Sequence, residues 1–193
     1  MISSQQDTKR PRLRRSGRLR EYANLLFFLI AVYTLLEMAI PRSVVQQISM
    51  FPTLMEGQRL LISRVSFLFG EPQRGNIVVF EAPGALPADP PLIKRLIGLP
   101  GETLEFRDQT VYVDGQQLLE PYLNEACTII NCGDDLWKLE ADEYFLMGDN
   151  RNHSRDSRVF GPVTREHLVG RAIVRWWPPA AWGVLNYTYD EVQ

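Results

Sequence analysis

An apolar run over residues 22–40, placed directly after a strongly basic stretch, restricts this chain more than any other feature. At 1.5 Å per residue the run reaches about 28 Å as a helix, close to the roughly 30 Å of a bilayer's hydrocarbon core. Residues 25–36 carry no charge, and Asn24 and Glu37 lie near the ends, where polar groups reach the interface at lower cost. The preceding segment holds Lys9, Arg10, Arg12, Arg14, Arg15, Arg18 and Arg20 against one acid, Asp7. A basic flank of this kind keeps its end of a spanning helix in the cytoplasm. Pro41 is a natural stop for the helix. The predicted organisation is a basic cytoplasmic tail over residues 1–21, an anchor over 22–40, and a body over 41–193 on the far side of the membrane.

A cleavable leader is the competing reading of the same run. It needs a small-x-small site after the apolar core, and Glu37-Met38-Ala39-Ile40-Pro41 supplies none, so the run is read as an uncleaved anchor. The chain as a whole has 21 Lys and Arg against 23 Asp and Glu. With the basic residues concentrated in the tail, the body is acidic; a basic tail fits nucleic acid, an acidic membrane surface or a topology signal, and the apolar run that follows decides for the topology signal. Nothing in the pattern points to an obligate oligomer. Cys127 and Cys132 are the two cysteines, and with only two histidines they cannot build a four-ligand zinc site. In an oxidising compartment they form either a small disulfide loop or two unpaired thiols, and their closeness favours the disulfide.

The body reads as mainly β. Residues 59–63, 76–80, 103–107, 109–113, 144–147 and 170–176 are short runs rich in β-branched or alternating apolar residues. Asp114-Gly115 is a hairpin turn signal, and the prolines of residues 83–91 mark a loop. Residues 134–140 are charged and read as solvated surface.

General bases are scarce. The chain has His153, His167, Lys9, Lys94 and Lys138. Lys9 lies in the tail and Lys138 in the charged stretch. Lys94 sits between Leu92-Ile93 and Leu96-Ile97. A lysine in an apolar strand either snorkels to the surface or is desolvated into a neutral amine able to act as a base. Ser49 follows the anchor closely, in Ile48-Ser49-Met50-Phe51-Pro52, and a Ser/Lys pair is a known form of activated nucleophile.

Four segments in order carry a resemblance to a known family. Ser49-Met50-Phe51-Pro52-Thr53-Leu54, Arg74-Gly75-Asn76-Ile77-Val78-Val79-Phe80, Lys94-Arg95-Leu96-Ile97-Gly98-Leu99-Pro100-Gly101-Glu102, and Gly148-Asp149-Asn150-Arg151 through Ser154, Asp156, Ser157 and Arg158 resemble the signature boxes of type I signal peptidases. The resemblance implies an antiparallel β-sheet catalytic domain preceded by one transmembrane helix, in a bacterial inner membrane, with no metal or cofactor. It implies an endopeptidase that removes signal peptides from exported preproteins after a small-x-small motif. In that family pattern Ser49 is the nucleophile, Lys94 the general base, and Ser154 orients the lysine. Arg95, Asp156 and Arg158 give support, the last two as an ion pair. Met50, Leu54, Val79 and Ile93 line shallow pockets for small residues. Gln47 departs from the pattern, since relatives carry a small hydroxyl residue there to complete the oxyanion hole; its amide is the candidate donor. Asn76 replaces an aspartate, and His153 reads as a surface variant. Alternatives are a maturase with one dedicated substrate, or a weakly active module that binds signal sequences.

Overall fold

The computed structural model describes residues 15–185 of the chain. They fall into two units, divided between Met38 and Ala39. The first is built on α1 (Arg15–Ala39). Its segment Arg18–Ala39, 22 residues long, has the length and composition to cross a membrane. Leu25, Phe27, Phe28, Ile30 and Leu35 are all exposed along it. A helix apolar on every side matches a lipid environment rather than one buried stripe. The helix begins earlier than the predicted anchor because no proline interrupts residues 15–21. It ends at Ala39 because Pro41 disfavours helical backbone at Ile40.

The second unit is β-rich. Its larger sheet contains β1 (Arg42–Val44), β2 (Arg59–Ser63), β3 (Ile77–Phe80) and β4 (Leu92–Gly98). The smaller sheet is built from β5 (Thr103–Arg107), β6 (Thr110–Val113), β7 (Gln116–Gln117) and β8 (Asp135–Lys138). The chain then returns to the larger sheet through β9 (Glu143–Met147), β10 (Val163–Thr164), β11 (Leu168–Trp177) and β12 (Gly183–Val184). The order of the larger sheet is β1-β2-β11-β3-β4-β9-β10, with β12 on β11, and that of the smaller is β7-β6-β5-β8. All the described pairings are antiparallel. The mainly β fold preceded by a single apolar helix is therefore present.

One segment is largely solvated surface, as its sequence reads, and carries a strand besides. The charged residues 134–140 contain strand β8, which pairs with β5 from Thr103 opposite Lys138 to Phe106 opposite Asp135. Backbone pairing does not need buried side chains, and Asp135, Leu136 and Lys138 stay exposed. Trp137 is the exception, packing its ring on Phe145 at 5.4 Å between centroids.

Burial explains the rest of the architecture. Leu104, Phe106, Val111, Val113 and Phe145 form one apolar cluster under the small sheet. Met50, Leu54, Leu60, Ile62, Ile77, Val79 and Ala172 form a second, around the turn that carries Ser49. Val78, Phe80, Leu96, Tyr144, Leu146 and Val163 form a third around β3, β4 and β9. Strand β4 is central in the large sheet, with residues 94–98 all buried. Any polar side chain on it must find a partner inside the protein.

Candidate active site

Two polar side chains on β4 meet that requirement differently. Arg95 is fully buried and forms a bidentate pair with Asp149, at 2.8 and 2.6 Å. Its remaining donors reach the Gly75 carbonyl at 2.9 Å and Thr53 Oγ1 at 3.3 Å, and its guanidinium lies 4.0 Å from the Tyr122 ring centroid. Lys94, opposite Val78 on β3, is 1% exposed. It does not snorkel to solvent. Its Nζ lies 2.5 Å from Ser49 Oγ, a contact in which a charged amine donates and a neutral one accepts.

Ser49 itself sits in a 3₁₀ turn, Ile48–Met50, and is buried. Phe51 N–H closes the turn on the Ile48 carbonyl at 3.0 Å, and Leu54 N–H bonds the Met50 carbonyl at 2.8 Å. From the other side, Asn150 N–H donates to the Ser49 carbonyl at 3.0 Å, and Asn150 Nδ2 donates to the Ile48 carbonyl at 3.2 Å. Gly148 makes room for this contact. A Cβ there would collide with the Ser49 carbonyl and with Ser154 Oγ.

Burial pulls the Lys94 amine from its ordinary 10.5 down to about 8. The charges of Asp156 and Asp149 work against that change, and Arg158 works with it. At neutral pH about one amine in ten is then uncharged, against fewer than about one in a thousand for a solvated lysine. Asp156 is completely buried and caps the short helix α2 (Ser157–Phe160) through the backbone of Arg158. Arg158 grips it at 2.8 and 2.7 Å, and Gly148 N–H donates to it at 2.9 Å. Burial alone would raise the Asp156 pKa. The bonds and charge of Arg158, with the Gly148 N–H, hold it below the ordinary carboxylate value instead.

Ser154 is placed beside this centre, against Gly148. Its Oγ is buried and makes no well-formed hydrogen bond among the described residues, so the expected bond to Lys94 is not formed in this geometry. The hydroxyl faces Asp156 closely enough to help lower that carboxylate's pKa. The four expected pocket residues divide. Met50 and Ile93 line a cleft of about 270 Å³ that also borders Ser49, Gln47 and Leu92. Leu54 and Val79 are not among its lining residues; they pack behind it with Leu60 and Ile62. Gln47 is exposed at the cleft. Cys127 and Cys132 are joined in a disulfide, and Arg158 Nη1 donates to the Asn131 carbonyl of their loop at 3.0 Å. His153 is exposed.

Several structural partners went unread in the sequence. Asp149 neutralises Arg95, and the signal was there: a buried strand arginine demands a carboxylate. Arg151 is buried against Glu120, which also accepts from Tyr122 Oη at 2.7 Å. Burial foremost, and then the Glu120 charge, push the Tyr122 phenol well above its ordinary pKa. Glu120 lies in an unpatterned loop and offered no sequence signal.

A family model described as "Signal peptidase, peptidase S26" matches residues 19–177, which contain every residue of this centre. The chain belongs to the signal peptidase family. Signal peptidase I of Leptolyngbya laminosa is 41% identical over 146 residues, 72% of this chain and 69% of that one. Probable signal peptidase I-2 of Synechocystis is 44% identical over 141 residues, 72% of this chain and 63% of that one. Signal peptidase I V of Bacillus subtilis is 38% identical over 138 residues, 65% of this chain and 79% of that one. A crystal structure of a signal peptidase I from Enterococcus faecalis V583 has 37% identity and a TM-score of 0.46, covering 53% of this chain and 97% of that one. As a signal peptidase of this family the chain is a membrane-associated serine peptidase acting on signal peptides through Ser/Lys chemistry.

Proposed function

We propose that Ser49 and Lys94 are the dyad of this signal peptidase and that it cuts preproteins after a small-x-small motif. The 2.5 Å contact between Lys94 Nζ and Ser49 Oγ, inside a buried site, is the observation that carries the assignment. The neutral amine takes the Oγ proton as Oγ attacks the scissile carbonyl. The Ser49 N–H stabilises the oxyanion, with the Gln47 amide as second donor. The lysine then gives its proton to the leaving amine, which departs as the amino terminus of the mature protein, and an acyl-enzyme remains on Ser49. A water, deprotonated by the same amine, attacks the acyl-enzyme, and the ammonium passes that proton to Ser49 Oγ as the cut signal peptide is released. Met50 and Ile93 form the wall that excludes bulky side chains before the cut. Ser154, packed against Gly148 and facing Asp156, orients the amine. Residues 1–21 stay in the cytoplasm, residues 22–40 anchor the chain, and residues 41–193 act on the opposite side, where exported preproteins emerge.

The test is cleavage of a purified preprotein carrying an Ala-x-Ala site by the full chain in detergent. Wild type cuts after the second Ala, while Ser49→Ala and Lys94→Ala are inactive yet fold. Cutting by either variant at the wild-type rate would sink the assignment.

A further inference from the structure

We infer that Asn150 is a positioning residue for catalysis: it orients the peptide between Ile48 and Ser49 so that the Ser49 N–H faces the reacting carbonyl. The inference rests on the dyad assignment above and deepens it. An oxyanion donor on the backbone has no side chain to aim it. Its direction is fixed by the peptide plane, and the plane is fixed by whatever holds the carbonyl on its other edge.

The peptide between Ile48 and Ser49 is trans, so its N–H and C=O point in opposite directions. The Ile48 carbonyl accepts from Phe51 N–H at 3.0 Å and from Asn150 Nδ2 at 3.2 Å. The next carbonyl, that of Ser49, accepts from Asn150 N–H at 3.0 Å. One residue therefore holds two successive peptide planes, once through its side chain and once through its backbone. The Phe51 bond belongs to the turn itself and moves with it. The Asn150 bonds come from the segment after β9, which is anchored by Asp149 on Arg95 and by Gly148 on Asp156. They register the turn against the rigid part of the fold. Gln47, Ser49 and Met50 line the cleft, and neither Ile48 nor Asn150 does. With the Ile48 carbonyl turned to Asn150, the Ser49 N–H turns toward the cleft.

The side chain of Asn150 is partly open to solvent. It takes no part in the apolar clusters, so its replacement should leave the fold in place and loosen one plane. Asn150→Ala removes the side-chain bond and keeps the backbone one. Asn150→Asp keeps the shape and sets a carboxylate oxygen against the Ile48 carbonyl.

The experiment measures preprotein cleavage by the full chain in detergent, for wild type, Ser49→Ala, Asn150→Ala and Asn150→Asp, across roughly pH 6 to 10. Both Asn150 variants should lose roughly ten- to a hundredfold in kcat, less than the roughly 10²–10³ typical for deleting an oxyanion donor outright. Their KM should stay within about twofold of wild type, and the pH midpoint of Asn150→Ala should not move, because that change adds no charge near Lys94; the new carboxylate of Asn150→Asp shifts the midpoint upward. A peptide boronate ending in Ala-x-Ala, which becomes tetrahedral on Ser49, should lose affinity by a similar factor. An uncleavable signal peptide should bind unchanged. The proposal is overturned if kcat is unaffected, if KM, or the pH midpoint of Asn150→Ala, carries the change, if boronate and uncleavable peptide weaken together, or if both variants fail to fold. An inactive wild type instead sinks the dyad assignment, and an active wild type with unaffected Asn150 variants sinks the positioning role alone.

Discussion

Replacing Lys94 by Met should make the protein more stable at neutral pH and remove a specific part of its pH dependence. Met has nearly the same length and no charge to bury. The folded protein holds the Lys94 amine at about 8 instead of 10.5, a difference worth about 3 kcal/mol. Below about pH 8 the lysine is protonated in both folded and unfolded chains, and the folded state carries the whole penalty of the buried ammonium. Between about pH 8 and 10.5 the unfolded lysine still holds its proton and the folded one does not, so wild-type stability rises with pH. Above 10.5 both are neutral and the slope ends. The Lys94→Met variant would lack this rise altogether. Ser49 Oγ loses its partner in the variant, which takes back about 1 kcal/mol. Lys94→Met should thus exceed wild type by about 2 kcal/mol at about pH 7 and fall slightly below it at about pH 10.5. Urea unfolding of the full chain in detergent micelles, followed by tryptophan fluorescence at several pH values, measures both curves. Tyrosine titrations are common to the two proteins and cancel in the difference. Parallel curves from about pH 7 to 10.5 would refute a desolvated lysine.

Three further outcomes rest on the same geometry. The kcat/KM of wild type should rise about tenfold per pH unit and level off near the Lys94 value of about 8; a plateau already reached at about pH 6 would exclude the lysine as base. Asp149→Asn leaves the fully buried Arg95 without its counter-charge and should lower stability by about 3–5 kcal/mol in urea titrations, whereas the double change Arg95→Met with Asp149→Leu should lie much nearer wild type. Gly148→Ala places a Cβ against Ser154 Oγ and the Ser49 carbonyl, so the turn must shift; cleavage should drop about a hundredfold with a stability loss of about 1–3 kcal/mol, and an unchanged kcat would show that the centre tolerates the displacement.

The local signals were strong where the chemistry of the chain is local. The apolar run over residues 22–40 is a helix because no other backbone arrangement of a single segment satisfies itself in lipid, and its end follows from Pro41. Strands at Arg59–Ser63 and Thr103–Arg107 match their alternation residue for residue. Strand β8 was hidden because its side chains stay largely in solvent while its backbone pairs with β5, and hydropathy reports only side chains. The Arg151–Glu120 pair was also hidden, since an ion pair 31 residues apart leaves no periodic trace.

Lys94 marks the boundary between the two kinds of information. Its position between apolar neighbours, and the boxes around Ser49 and Lys94, give the candidate residues and the family from sequence alone. Whether the amine reaches water or a serine is undetermined by those neighbours, because a four-carbon side chain on a strand can do either. That was decided by the sheet. Strand β4 lies between β3 and β9, and the segment after β9 brings Asn150 to the Ser49 turn, so the serine closes over the amine. A pKa depends on distance to charges and on excluded water, and both are properties of the assembled fold.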